Sequence, residues 1–310
     1  MRFLLTILLI LSFGYSNGQQ VINAHVRYRG FVQNNLLLDL YPGAAAAYSL
    51  RKLDKDYTGS AIRVRKDTTG QPEQDIGFLG NELDTVSLKS FLNARSGFVV
   101  TWYDQSGNLR NGTQSTQANQ PRIALNGIID ILNGKPSVIF DGSNDHLVSN
   151  DLGSAFSGTD VPVSVLFVAA YLTNETEKTA FSWSSHTSNT PLRRFSSTTT
   201  TAHLWWHRDN VGAIASTSAT AGVNTNMNNW NFFHTGTAIS ISVNGVLTRD
   251  AVSNDVGATT TTRFTIGGAL RTSFGLASNI SASELIIYPD NQILNRASFE
   301  SNINTFYGIY

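Results

Sequence analysis

The stretch Ile239-Ser-Ile-Ser-Val-Asn244-Gly245-Val-Leu247 decides the fold class. Its apolar and polar side chains alternate with the period of two that turns one face of a β-strand toward a core. Asn244-Gly245 supplies two residues that tolerate positive φ angles, as a type I′ turn between antiparallel strands requires. The sequence therefore predicts a β-hairpin here.

Working outward from this hairpin, the chain after residue 20 is rich in Thr, Ser, Asn and Gly, with many short β-branched runs. This pattern is typical of an all-β sandwich with frequent turns. No repeat and no Pro- or Gly-rich hinge divides the chain. The predicted strands are 97–103, 137–140, 161–171, 202–206, 230–234, 239–243, 263–266 and 284–288.

Two segments interrupt the β pattern. Residues 44–53 follow Pro42-Gly43 and are rich in good helix formers, so they predict a short helix near the N-terminus. Near the C-terminus, Asp290 is a candidate cap for a helix that begins at Asn291. The spacing of Phe299, Ile303 and Phe306 gives that helix one apolar stripe, which we expect to pack on the edge of the sandwich.

Composition excludes several classes of protein. The 310 residues contain no cysteine, which rules out disulfides, thiolate metal sites, a cysteine nucleophile and a lipoprotein anchor. The 22 basic and 22 acidic residues balance, which argues against a nucleic-acid-binding protein. A mean hydropathy of −0.11 argues against several membrane spans.

The N-terminus has the pattern of a secretory signal. Met1-Arg2 is a short positive segment, 3–13 is apolar, and Gly14-Tyr15-Ser16-Asn17-Gly18 is a polar exit of small residues. We expect cleavage before Gln19, which gives a signal peptide at 1–18 and a single domain at 19–310. The mature protein is therefore expected to be secreted or at the cell surface.

Three segments carry a resemblance to a known family. The first is Ala47-Tyr-Ser-Leu-Arg51, which is followed by Gln74-Asp-Ile-Gly-Phe78. The second is Thr101-Trp-Tyr-Asp-Gln-Ser-Gly-Asn108. The third is Asn133-Gly-Lys-Pro-Ser-Val-Ile-Phe-Asp-Gly-Ser-Asn-Asp145. Together they resemble the catalytic domain of the α-L-arabinofuranosidase B family and related laminin-G-like modules of exported bacterial and phage proteins. The resemblance covers roughly residues 40–310 and implies a concanavalin A-like jelly-roll β-sandwich that faces a glycan.

The resemblance does not extend to the family's catalytic carboxylates. Its members place an acid/base Asp directly after a Gly-Gly pair, but Gly267-Gly268 is followed here by Ala269. Their nucleophile is a Glu in the middle of the domain, and no Glu occurs between Glu177 and Glu284. Retaining glycosidases need both carboxyl groups. The sequence therefore favours a shared scaffold without arabinofuranosidase chemistry.

The segment from Trp102 to Asn108 has two interpretations. As a ligand site, Trp102 or Tyr103 is an apolar platform, and Asp104, Gln105 and Asn108 bind sugar hydroxyls. As a structural element, it is a strand that ends in a turn held by local side-chain hydrogen bonds. Because side chains alternate along a strand, only one of the two aromatic rings faces a given side.

Asp141, Asn144 and Asp145 offer several oxygen donors within five residues. They are candidates for binding a sugar or part of a Ca²⁺ shell, although calcium needs six to eight oxygens and the EF-hand spacing is missing. The structural interpretation is an Asx turn between strands. A calcium site that also uses Asp104 stays open at this point, and no other cofactor is expected.

His203-Leu-Trp205-Trp206-His207 is the densest aromatic cluster. On a strand, His203, Trp205 and His207 share one face, and Trp206 lies on the other. We predict Trp205 as a partly exposed platform for a sugar ring and Trp206 as a core residue. The two histidines alone lack the third ligand that a zinc site needs.

These observations favour a secreted, non-catalytic carbohydrate-binding or adhesion module whose partner is a glycan. The first alternative is a glycoside hydrolase of the arabinofuranosidase type with other carboxylates, and the second is a structural protein of a cell surface or virion. The chain has no Gly-x-Ser-x-Gly elbow, P-loop or dinucleotide fingerprint, so serine-hydrolase and nucleotide chemistry have no support. The sequence leaves the oligomeric state open.

Overall fold

The hairpin predicted at 239–247 is confirmed. Strands Ala238–Val243 and Val246–Ser253 pair antiparallel, and the φ angles of Asn244 and Gly245 are 50° and 81°, as a type I′ turn requires. The computed structural model describes residues 36–173, 176–199, 202–219, 224–255 and 257–310. Within it, Leu37–Tyr310 form one unit, and the predicted signal segment 1–18 lies outside the described residues.

β-strands are the main secondary structure of the described chain, and each run predicted as a strand overlaps an observed one. The strands are β1 Ala46–Ser49, β2 Ile62–Lys66, β3 Glu73–Ile76, β4 Phe78–Leu79, β5 Glu82–Leu83, β6 Gly97–Trp102, β7 Gly112–Thr113, β8 Arg122–Leu125, β9 Ile128–Ile129, β10 Ile131–Leu132, β11 Lys135–Pro136, β12 Val138–Asp141, β13 Leu147–Ser149, β14 Gly158–Thr159, β15 Val163–Tyr171, β16 Thr179–Ser184, β17 Leu192–Thr199, β18 Ala202–Arg208, β19 Ile214–Ala219, β20 Asn228–His234, β21 Ala238–Val243, β22 Val246–Ser253, β23 Ala258–Thr259, β24 Arg263–Ile266, β25 Ala269–Leu270, β26 Phe274–Gly275 and β27 Asn279–Tyr288. The helices are α1 Leu37–Leu40, α2 Thr85–Leu92, α3 Asn150–Ser154 and α4 Arg296–Tyr307, with 3₁₀ turns at Gln117–Asn119 and Ile293–Asn295. In the described part of the chain, no helix has the length and apolar character needed to cross a membrane.

The strands form two antiparallel layers. The first layer has the order β19-β18-β17-β16-β24-β13-β7-β6-β2-β3. The second has the order β22-β21-β20-β15-β27, and β27 then pairs with β1 and β12 along its other edge. Strand β8 pairs with both β6 and β12 and joins the layers at one end. The fold is therefore the jelly-roll β-sandwich that the sequence predicted.

Large aromatic side chains fill the space between the layers. Trp205 of β18 stacks on Phe232 of β20 with ring centroids 5.0 Å apart, and Phe181 of β16 contacts both of these rings. All three are almost completely buried. Aromatic pairs of this kind contribute about 1 kcal/mol each beyond the burial of their area, which suits a chain without disulfides.

The C-terminal helix begins later than predicted and covers a sheet face rather than an edge. Asp290 accepts hydrogen bonds from the Gln292 side chain and caps no helix, so α4 begins at Arg296 after a 3₁₀ turn. The predicted stripe is confirmed at Phe299 and Ile303, which are fully buried against the outer side of β15 and β27. This packing closes the outer face of the second layer.

The helix predicted at 44–53 is wrong, because this segment contains strand β1. Ala46 and Ala47 pair with Ile287 and Ile286 of β27 and are completely buried. Helix propensity is a weak preference, and tertiary pairing overrides it. The alanines serve here as small side chains on a strand that is covered on both sides.

Candidate functional site

The outer face of the first layer is the sheet face that remains open to a ligand. Its side chains form a row in which each residue lies directly opposite the next across neighbouring strands. The row consists of Thr113, Val148, Thr265, Ser182, Arg194, Trp206 and Ser216. We call the surface formed by this row and its neighbours the open face.

A short hairpin, β25–β26, covers the middle of the open face. The Ser182 and Ser184 hydroxyls of β16 donate to the carbonyl oxygens of Gly268 and Leu270 at 2.9 and 2.7 Å. These bonds hold the hairpin against the sheet and explain why polar Ser182 and Ser184 are buried. The hairpin divides the open face into a half with clefts, near β6 and β13, and a half around Trp206.

The larger cleft has a volume of about 560 Å³, within the range of small-ligand sites. Its walls combine apolar side chains with both signs of charge, and we call it the acid–arginine cleft. Its lining residues are Arg65, Asp67, Gln71, Phe98, Gln117, Ala118, Gln120, Arg122, Leu125, Ile139, Asp141 and Asp145.

Two arginines from neighbouring parts of the sheet are fixed in this cleft. The Arg65 guanidinium of β2 lies over the Phe98 ring of β6, 4.7 Å from its centroid, and its Nε donates to Gln120 Oε1 at 2.6 Å. Arg122 of β8 makes a bidentate pair with Asp130 at 2.8 and 2.9 Å. Both groups are thereby preorganised to donate hydrogen bonds to a ligand.

The end of β12 and the loop after it supply two of the three acids of the cleft, Asp141 and Asp145. Asp141 Oδ1 accepts from the backbone N–H groups of Ser143 and Asn144 at 2.8 and 3.2 Å, so the predicted Asx turn is present. Asp145 Oδ2 accepts from the Asp141 N–H at 3.0 Å. Burial and, less strongly, the Asp141 charge raise the pKa of the Asp145 carboxyl to about 7, while the hydrogen bond from the Asp141 N–H and the Arg122 charge oppose the rise. Asp145 therefore exchanges its proton near neutral pH.

A smaller cleft of about 330 Å³ lies on the same half of the open face. Gln114 Nε2 lies 2.9 Å from His146 Nε2, and the His146 ring stacks on Phe274 of the covering hairpin at 4.2 Å between centroids. Burial lowers the pKa of His146 below its usual value. The ring is therefore neutral at pH 7, and its stacking on Phe274 fixes the hairpin beside the cleft.

The Trp-Tyr-Asp-Gln-Ser-Gly segment is a structural clamp on β1 and the chain beyond it. Asp104 Oδ1 accepts from the backbone N–H groups of Ala47 and Ser106, each at 2.8 Å. Gln105 is equally committed, because its Nε2 donates to two backbone carbonyls and its Oε1 accepts from a backbone N–H. The predicted ligand role of Asp104 and Gln105 is therefore corrected, since both are buried with their polar atoms bonded inside the protein.

The other members of that segment do not form a platform either. Trp102 is completely buried beside Tyr48. The Tyr103 hydroxyl donates to Asp75 Oδ1 at 2.8 Å, outside the two clefts described above. Asn108 is exposed, but its side-chain amide donates to the carbonyls of Ala44 and Ala45. The structural interpretation of this segment accounts for these contacts.

The assignment of the two adjacent tryptophans is reversed. Their alternation is as predicted, but Trp205 is completely buried in the core and Trp206 is half-buried on the open face. Trp205 is thus no sugar platform. Period-two alternation shows that the two rings face opposite ways, but not which layer lies behind them.

Of the nine residues predicted as ligands, only Asp141 and Asp145 line the acid–arginine cleft. Asn144 lies beside it and donates to Asn119 Oδ1 at 3.0 Å. Sequence reasoning missed Arg65, Phe98 and Arg122, whose alternation with apolar neighbours was the available signal. In the described ranges, no three His, Asp or Glu side chains are grouped so as to hold a metal.

The fold and this site define a jelly-roll β-sandwich with an open, cleft-bearing face. Comparison with protein-family models finds no match, and comparison with curated protein sequences finds none.

Solved structures share this scaffold. The chain is similar to a mutant of a GH54 α-L-arabinofuranosidase soaked with 4-nitrophenyl α-L-arabinofuranoside, with a TM-score of 0.58 and 13% identity over 84% of this chain and 62% of that one. It is also similar to an arabinofuranosidase complexed with arabinofuranosyl-α-1,2-xylobiose, with a TM-score of 0.57, 13% identity and the same coverage. The chain thus spans about 62% of the length of these structures. At this identity the likeness establishes the shared fold.

Proposed function

We propose that this chain binds carbohydrate in the acid–arginine cleft and does so without cleaving it. The observation that carries the proposal is the cleft itself, in which the Phe98 ring and Ile139 form an apolar wall beside arginine and aspartate side chains. Sugars present apolar C–H faces and hydroxyls that both donate and accept hydrogen bonds, so this mixture suits them. The similarity of the fold to arabinofuranosidases is consistent with a carbohydrate ligand.

Asp145 gives the proposal its sharpest test. With a pKa of about 7, its carboxyl group both donates and accepts at neutral pH, as a sugar hydroxyl partner needs to do. We expect Asp145→Asn and Arg122→Ala each to weaken binding at least tenfold. A glycan array identifies the ligand, and affinity electrophoresis in a gel that contains the corresponding polysaccharide measures the change. Arg249→Ala, on β22 of the other layer, is the matched control. Binding that is unchanged in both cleft variants would overturn the proposal.

One observation favours a hydrolase as the second candidate. The cleft holds a carboxyl group with a raised pKa, Asp145, close in the chain to Asp141, whose Oδ1 is held by backbone N–H groups. Glycoside hydrolysis needs two carboxyl groups in one cleft, and a raised pKa suits one of them to act as the acid. The position that the resemblance assigns to the arabinofuranosidase acid/base holds Ala269, which is completely buried in β25.

Turnover separates the two candidates. A set of 4-nitrophenyl glycosides, including the α-L-arabinofuranoside, is incubated with the protein and with Asp145→Asn. Release of nitrophenol that disappears in the variant would establish hydrolysis. Glycan binding without release supports the non-catalytic module.

We also propose that the protein acts outside the cytoplasm. The proposal rests on the charged, apolar and small-residue segments of 1–18. N-terminal sequencing of the protein recovered from its native source tests it. A mature chain that begins at Gln19 is expected, and a chain that retains Met1 contradicts the proposal.

A further inference from the structure

The half of the open face around Trp206 carries an unusual concentration of arginine. Arg194 and Arg208 each place their guanidinium carbon over the Trp206 ring, 5.0 and 4.9 Å from its centroid. Arg271 projects from the covering hairpin, and Arg263 Nη1 donates to its carbonyl oxygen at 3.2 Å. Arg263 itself lines the smaller cleft. We call Arg194, Arg208 and Arg271 with Trp206 the arginine face.

These positive charges are poorly balanced within the protein. Among the described residues, Glu177 is the carboxylate within ion-pair distance of any of these three arginines. It lies 3.5 Å from Arg194 Nη2, and its side chain is 64% exposed. Arg271 is close enough to lower the pKa of Arg194, although burial is the larger cause. Like charges gathered on a sheet face oppose folding unless a counter-charge joins them.

Two of the guanidinium groups also have donors without acceptors. Arg194 is 5% exposed, its Nη1 donates to Thr179 Oγ1 at 3.2 Å, but its Nε is buried without a hydrogen-bond partner. Arg271 Nε is in the same condition. A buried N–H of a charged group that lacks an acceptor is costly. An oxyanion bound beside the partly exposed Arg208 and Arg271 would offset part of the unbalanced charge.

Resting on the proposed function, we propose that the arginine face binds the anionic group of an acidic carbohydrate, a sugar carboxylate or sulfate ester. The planar guanidinium fork matches both oxyanions with paired hydrogen bonds. Trp206 holds Arg194 and Arg208 in place by cation–π contact, so little side-chain entropy is lost on binding. A chain of sugars crossing the open face would then contact the acid–arginine cleft with one unit and the arginine face with another.

The test compares three polysaccharides on the full chain by titration calorimetry: polygalacturonate for the carboxylate, dextran sulfate for the sulfate ester, and dextran as the neutral control. We expect one of the two anionic polymers to bind at least tenfold more tightly than dextran. The double variant Arg208→Ala with Arg271→Ala should abolish this preference, because it removes two of the positive charges. It should still fold, because both side chains are only half-buried and lie outside the core. Arg249→Ala should keep it.

Several outcomes would overturn the inference. They are an anionic preference that survives in the double variant, equal binding of dextran, and equally tight arginine-dependent binding of a DNA oligonucleotide, which would make the face a general polyanion site. Asp145→Asn separates this failure from that of the proposed function. If neutral glycans bind, this binding is lost in Asp145→Asn, and no anionic polymer is preferred, then the proposed function of the acid–arginine cleft is supported and only the proposal for the arginine face fails.

Discussion

At the scale of one residue, Asp104 shows how a chain without disulfides joins segments that are far apart in sequence, here strand β1 and the turn after β6. Its two oxygens accept from the N–H groups of Ala47, Ser106 and Arg110 and from the Ser106 hydroxyl. We predict that Asp104→Ala lowers the unfolding free energy by about 3 kcal/mol, because buried backbone donors lose their acceptor. Urea unfolding measures the change, with exposed Asp151→Ala as the control. A loss under about 1 kcal/mol would show that water replaces the carboxylate.

Asp145 should give the opposite sign of pH dependence from an ordinary surface acid. Its pKa is raised from 3.8 to about 7 in the folded state, so folded Asp145 retains its proton when the unfolded side chain has lost it. Stability is therefore lost as the pH rises from about 4 to about 7. We predict that Asp145→Asn gains about 2 kcal/mol relative to the natural protein between pH 4 and pH 8. Unfolding curves at both pH values measure this gain, and a constant difference would contradict the assigned pKa.

At the scale of elements, the turn that leads β24 into the covering hairpin depends on Gly267. Its φ angle is 92°, and a Cβ there would lie 2.4 Å from Phe140 Cδ1 and 2.6 Å from the Asp145 carbonyl oxygen. Gly70→Ala is a matched control, since Gly70 has a φ of 81° and open space around it. We expect Gly70→Ala to cost about 1 kcal/mol from backbone strain alone and Gly267→Ala about 3 kcal/mol, because crowding is added. If thermal unfolding shows equal losses of stability in the two variants, the Phe140 ring moves aside without a measurable loss of stability.

The elements also show what a sequence can predict and where it stops. Alternation and β-branched runs located the eight predicted strand runs, because the strands that overlap these runs bury side chains on at least one face. The prediction for the alanine-rich segment at 44–53 was wrong because pairing with β27 and the Asp104 clamp are long-range effects. Arg65, Phe98 and Arg122 come from three different strands. Their meeting in one cleft depends on strand register, which sequence spacing alone does not determine.

At the scale of the whole molecule, two histidines join the layers at one end of the sandwich. His207 of β18 stacks on His234 of β20 with centroids 4.8 Å apart. His234 Nδ1 accepts from the Gly236 N–H, so the ring donates from Nε2 to Asn254. Burial and, less strongly, the charge of buried Arg193 lower the pKa of His234 to about 4, although its hydrogen bonds to Asn254 oppose this. The same two causes, in the same order, lower the pKa of His207 well below its usual value. Both rings are therefore neutral in the folded protein at pH 7.

This pair should make the sandwich sensitive to acid. Unfolded histidine has a pKa of about 6.5, so the unfolded chain gains protons first, and stability present above pH 6.5 is lost as the pH falls toward 4. The contribution of Asp145 to the unfolding free energy changes with pH in the opposite direction across this range. The test therefore uses the Asp145→Asn variant as its parent protein. There we predict a loss of about 3 kcal/mol from His234 alone between pH 6.5 and pH 4. His234→Gln should remove that part of the slope in urea unfolding at each pH, while a slope equal to that of the parent would place the acid sensitivity elsewhere.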